Sequence, residues 1–105
     1  MPEIQLEGRA FPIDEEGFLQ QPEVWDEEVA RLFAAHEGIP AMTPEHWAVV
    51  RAIRAHFLQH GNAPMVRALC QATNLNLRTI YKLFTAGPAK GACKIAGLPK
   101  PEGCV

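Results

Sequence analysis

The spacing of apolar residues changes along the chain, and with it the predicted element. "EIQLEGRAFPID" alternates apolar and polar on both sides of Gly8. That predicts a small hairpin, with Ile4 and Leu6 on one strand and Phe11 and Ile13 on the other. The period then becomes helical. "QPEVWDEEVARLFAAHEG" puts Trp25, Val29, Leu32 and Phe33 on one face, with Pro22 in the first turn and Gly38 at the stop. "TPEHWAVVRAIRAHFLQHG" is the clearest helix: Thr43 is a natural N-cap, Pro44 takes the first helical position, and Gly61 ends it. Its predicted buried stripe is Trp47, Val50, Ile53, Phe57 and Leu58. Asn62 is a candidate cap for a third helix, "APMVRALCQAT", which would bury Met65, Val66 and Leu69. "LNLRTIYKLF" predicts a fourth, with Leu77, Ile80, Tyr81 and Phe84 inward, broken by Gly87-Pro88. "PAKGACKIAG" predicts a short fifth helix from Pro88 to a stop at Gly97.

After Gly97 the pattern fails. "LPKPEGCV" has two prolines, a glycine and no apolar period. It cannot continue a helix, and nothing obliges it to pack. The expected fold class is mainly α (α+β): a small helical domain with an N-terminal β-hairpin, a helix-turn-helix-like pair and a flexible C-terminal arm. Residues 1–97 are the expected body and 98–105 the mobile arm. At 105 residues the chain supports one core and not two.

Charge is divided unevenly. The net of -2 conceals eleven acids against four bases over residues 1–63, a balance of -7. Residues 64–105 carry Arg67, Arg78, Lys82, Lys90, Lys94 and Lys100 against Glu102 alone, a balance of +5. A basic C-terminal part suits an anionic ligand, an acidic partner or nucleic acid; a merely solvated face is the plain alternative. No apolar run approaches the roughly 20 residues of a membrane span. The acidic, alternating "MPEIQLEGRA" is not an export or transit signal. The expected compartment is therefore the cytoplasm, where thiols stay mostly reduced and a cysteine pair reads as catalytic, redox-active or metal-binding.

Those cysteines are the candidate chemistry. Cys93 lies in the fifth predicted helix, and Cys104 is the second-to-last residue, with ten residues between them. Lys90 and Lys94 flank Cys93, and nearby positive charge favours the reactive thiolate. The carboxylate of Val105 works against a second negative charge at Cys104, which is expected to need a partner's basic pocket for activation. Extended, the connection carries the tip about 35 Å away, at about 3.3–3.6 Å per residue. Folded back, it brings the two sulfurs together at modest entropic cost. Cys70, beside Leu69, reads as a buried, inert thiol.

Three other chemistries are weaker fits. The third and fourth helices with the "NLNLR" turn resemble a helix-turn-helix, with Arg78, Thr79 and Lys82 toward a duplex, but this leaves the terminal cysteine unexplained. His56 and His60 are spaced i, i+4, a geometry that holds a metal only with at least one more ligand, so no metal site is expected. No C-x-x-C occurs within a βαβ pattern, so a thioredoxin-type enzyme is not expected.

"EGIPAMTPEHWAVVRAIRAHF", "APMVRAL", "YKLF", "GPAKGACKIAGLPKP" and the final "GCV" together resemble the DsrC/TusE family, most densely from Gly87 to Val105. The resemblance implies a small, mainly helical sulfur carrier whose penultimate cysteine, here Cys104, accepts sulfur as a persulfide. It implies that Cys93 is the upstream cysteine, able to form an intramolecular disulfide or trisulfide with Cys104. Such a protein is a co-substrate and not a stand-alone enzyme. In the DsrC branch the arm enters dissimilatory sulfite reductase, which supplies the sirohaem; the carrier itself holds no cofactor. A membrane complex is the implied reductant of the trisulfide, without insertion of the carrier into the membrane. In the TusE branch only the penultimate cysteine is kept, and sulfur passes toward thiolation of tRNA. Lys90, Lys94, Lys100 and Arg67 are the expected docking cations, and DNA is not the expected partner. Two departures stand out: the connection between the third and fourth helices is shorter than expected for the family, and Glu102 occupies a position where an uncharged residue is common.

Overall fold

Glu7 and Gly8 both adopt positive φ, 49° and 80°, and turn the chain back on itself between β1 (Glu3–Leu6) and β2 (Arg9–Pro12). Two positive-φ residues match the twist of an antiparallel pair, and Gly8 takes the second position without a Cβ penalty. Ile4 lies opposite Phe11, so the two predicted inward residues share one face. Phe11 is buried and meets the Phe33 ring edge-on at 5.6 Å. The structure, a computed structural model, describes residues 2–87 and 91–99.

The second predicted element is split. A 3-10 turn covers Pro22–Val24, and α1 begins only at Glu27 and runs to His36. The reason is Asp26, whose extended backbone and side chain cap α1 by accepting from the Val29 amide. Trp25 is thereby left outside the helix. Val29, Leu32 and Phe33 are buried as expected. Gly38, at φ 90°, closes α1: its amide donates to Ala35 and that of Ile39 to Ala34.

α2 (Pro44–His60) follows its sequence signals closely. Thr43 is the N-cap, Pro44 is in the first turn, and Gly61 ends the helix at φ 78°. The buried stripe is rotated from the expected one. Val49, Val50, Ile53 and His46 are buried, Trp47 and Phe57 are half-buried, and Leu58 is 73% exposed. His46 is the unexpected member. Its Nδ1 accepts from the Thr43 amide at 3.0 Å, and its Nε2 lies 2.9 Å from the Leu83 carbonyl oxygen. A carbonyl can only accept, so the ring is the Nε2–H tautomer. It joins the start of α2 to the backbone at Leu83 and packs edge-on against Phe84 at 5.1 Å.

α3 (Val66–Thr73) starts at Met65, which offers no side-chain cap, and ends at Asn74 with φ 61°. α4 (Leu77–Leu83) is capped by the Asn76 side chain on the Thr79 amide. Only Leu69, Ile80 and Phe84 of the residues expected inward on this pair are buried; Val66 is half-buried. Met65 at 78%, Tyr81 at 47% and Leu77 at 41% face outward. Two short helices have little core to share, and each covers it with a narrow edge only. α5 (Cys93–Ile95) is a single turn packed against α1 and α2. No helix among the described residues is long and apolar enough to cross a membrane.

The His46 bridge is testable. His46→Ala removes a buried side chain that ties two helices and leaves the Thr43 amide and the Leu83 carbonyl without their partner. Urea unfolding should show a loss of about 2–3 kcal/mol. Leu58→Gln, on the exposed face of the same helix, should change stability by no more than about 0.5 kcal/mol.

Candidate functional site

The turn that carries Cys93 is built from small and apolar residues. Ala92, Cys93, Ile95, Ala96 and Leu98 are all buried, and Cys93 is 2% exposed. Gly97 ends the turn at φ 75°, a conformation that L side chains rarely adopt. The Gly97 amide donates to Lys94 at 3.1 Å and the Leu98 amide to Cys93 at 3.2 Å. This paired closure is a Schellman motif with Leu98 as its apolar anchor.

Two side chains from elsewhere finish the turn. Trp25 Nε1 donates to the Ile95 carbonyl at 2.9 Å, and Arg54 Nη1 donates to the Ala96 carbonyl at 3.2 Å. The Arg54 guanidinium also lies 4.3 Å above the Trp25 ring. Burial lowers the Arg54 pKa from its ordinary value. Stacking on an indole suits a guanidinium taken partly out of water. Gly97 is required twice here, because a Cβ at this position would lie 2.3 Å from Trp25 Cδ1.

Lys94 is held by the body. Its Nζ is 3.9 Å from Glu37 Oε1 and 5.2 Å from the Phe18 ring centroid, and its side chain is only 15% exposed. This cation, expected at a docking face, is engaged inside the fold. Arg67, on α3, is exposed. Lys90, Lys100, Cys104 and the expected arm beyond Pro99 lie outside the described residues. The body extends one residue past its expected edge at 97, since Leu98 is 1% exposed. Cys70 is half-buried and not fully enclosed.

Arg78 and Lys82 of the helix-turn-helix-like pair are exposed, whereas Thr79 is half-buried. Among the described residues, no group of three or more His, Cys, Asp or Glu side chains is placed to hold a metal. Trp25 and Arg54 are the site residues that the sequence reading missed. Trp25 was expected only as part of the apolar face of a helix, and its bond to the Ile95 carbonyl spans 70 residues, which no local period reveals.

The family model described as "DsrC like protein" matches residues 5–105. This chain belongs to the DsrC family. It is 42% identical over 105 residues, the whole of both chains, to the sulfite reductase, dissimilatory-type subunit gamma of Nitratidesulfovibrio vulgaris. It is 43% identical over 107 residues to sulfurtransferase TusE of Escherichia coli O6:H1, covering 95% of this chain and 97% of that one. Among solved structures it is similar to the oxidized gamma-subunit of the dissimilatory sulfite reductase (DsrC) from Archaeoglobus fulgidus, with TM-score 0.85, 47% identity and coverage of 99% and 100%. Allochromatium vinosum DsrC matches with TM-score 0.81, 38% identity and coverage of 98% and 97%. The DsrC match runs to Val105, so it takes in both Cys93 and Cys104.

The clamp predicts a measurable shielding of Cys93. Under native conditions, alkylation followed by peptide mapping should modify Cys93 more slowly than half-buried Cys70. Gly97→Ala should raise the Cys93 rate and lower stability by about 2 kcal/mol or more, because strain at positive φ and the clash with Trp25 act together.

Proposed function

We propose that this protein is a sulfur carrier of the DsrC type, in which Cys104 holds sulfane sulfur as a persulfide. The observation that carries this reading is the family match through residue 105, which embraces a penultimate cysteine on a Pro- and Gly-rich tail. The chain acts as a co-substrate: sulfur arrives on the Cys104 thiolate from a donor and leaves to an acceptor. The acceptor or donor is a sulfite reductase, as the name of the Nitratidesulfovibrio relative suggests, with any sirohaem supplied by that partner. The working compartment is the cytoplasm.

In the second step of this reading, the Cys93 thiolate attacks the outer or inner sulfur of the loaded Cys104. Attack on the inner sulfur forms a Cys93–Cys104 disulfide and releases hydrosulfide. The disulfide is then returned to two thiols by an external two-electron reductant, such as a membrane-bound reductase. Burial of Cys93 supports a gated step, because the arm tip must reach an enclosed sulfur. The rigid turn from Cys93 to Leu98 supports a fixed root from which the tail swings. Arg67 supplies docking charge on the exposed face of α3, with Lys90 and Lys100 on the segments that flank the turn.

A TusE-like relay toward tRNA thiolation is the second reading, favoured by the 43% identity to TusE. The presence of Cys93 and the end-to-end match to the reductase subunit favour the DsrC type.

Intact mass after incubation with a sulfane-sulfur donor tests the assignment. The wild type should gain sulfur, Cys104→Ala should gain none, and Cys70→Ala should load normally. Cys93→Ala should load but form no intramolecular disulfide on mild oxidation. Loading that persists without Cys104 and requires Cys70 would sink the proposal.

A further inference from the structure

A groove of about 820 Å³ opens at the C-terminal end of α2, beside the root of the tail. His56, His60, Asn62 and Met65 line it, and Leu98 and Pro99 form the wall where the chain leaves the body. Apart from Leu98, whose amide closes the turn on Cys93, none of these residues takes part in that turn. We propose that this groove is a soft-metal site that takes monovalent copper on His56, His60 and Met65.

The two imidazoles are one helical turn apart, with ring centroids 4.4 Å from each other. His56 Nδ1 lies 3.0 Å from the Asn62 carbonyl oxygen. That oxygen can only accept, so Nδ1 carries the proton and Nε2 keeps its lone pair. A ring whose second nitrogen donates to a backbone carbonyl is the arrangement that orients metal-binding histidines. His60 shares the same wall at i+4, a spacing that presents two imidazoles to one ion.

Met65 supplies the third donor. The apolar period of α3 predicts that it packs inward, yet it is 78% exposed and lines the groove. Its thioether is thus offered to the same space as the imidazoles. Two imidazoles and a thioether make a neutral donor set with soft character, which suits Cu(I) over hard cations. Among the described residues no carboxylate lines the groove, so nothing in that lining would offset the second charge of a dication.

The last turn of α2 meets the groove at His60 and Gly61, and its negative end favours a cation. The neutral, soft donor set is what selects among cations. This assignment does not rest on the sulfur-carrier reading.

Thiols also bind Cu(I), so the test removes the accessible ones. The full-length Cys70→Ser/Cys104→Ser variant keeps only Cys93, which is 2% exposed. It is titrated anaerobically with Cu(I) held by a chromophoric chelator such as bicinchoninate. One equivalent should move from the chelator to the protein. His56→Gln, His60→Gln and Met65→Leu, each made in this background, should weaken uptake by about tenfold or more while thermal unfolding stays nearly unchanged. Zn(II) in equal amount should not displace the copper. Copper that stays on the chelator, uptake unaltered by the His60 and Met65 changes, or preferential binding of Zn(II) would each overturn the proposal.

Discussion

The closed turn from Cys93 to Leu98 is the constraint around which the rest of the molecule is arranged. Gly97 reverses the chain there, and Trp25 and Arg54 take up the Ile95 and Ala96 carbonyls. Individually these are modest interactions. A hydrogen bond to a charged donor contributes about 1.5–3 kcal/mol, and a partly desolvated cation–π contact about 0.5–2 kcal/mol. Their importance is in what they prevent. Without them the carbonyls at the end of a buried single-turn helix would lack partners, and a helix of three residues cannot hold itself together. The donors come from a loop before α1 and from the middle of α2, so the turn is fixed only when both helices are docked.

This dependence separates the chemistry of the chain into two zones. Within the turn that ends at Leu98 the side chains are enclosed or held: Cys93 is buried, and Lys94 is held by Glu37 and the Phe18 ring. Beyond it the sequence supplies Lys100, Glu102 and Cys104 with no apolar anchor. A buried thiol such as Cys93 is protected from small oxidants and alkylating agents.

Much of the fold was legible because its signals are local. Thr43, Pro44 and Gly61 mark α2 by capping chemistry, and the alternation around Gly8 marks the hairpin. The misses have two causes. Asp26 outcompeted the helical period by capping three residues before the Val29 amide, so Trp25 left the helix and became free to reach Ile95. Leu58, Met65, Leu77 and Tyr81 look like core residues by period, but the chain is too small to surround every helix. The cysteines of the candidate site were visible at once from their positions. Arg54 and His46 were not, since each acts through a backbone carbonyl 42 or 37 residues away, and no residue pattern announces such a contact.

A fixed root is also what turns a tail into a reagent. Six residues follow Pro99, and an extended segment of that length spans about 20 Å at about 3.3–3.6 Å per residue. If the turn frayed, the effective tether would lengthen by several residues and the local concentration of the tip near any fixed point would fall, roughly as the -3/2 power of length. The Schellman closure keeps the tether short. On the proposed carrier reading, encounters between Cys93 and Cys104 would be governed by the length of "KPEGCV" and the opening of this one turn. Gly97 then has a role beyond accommodating Trp25, because a substitution there should open the turn and expose the buried sulfur of Cys93, which couples the stability of one turn to the access of that thiol.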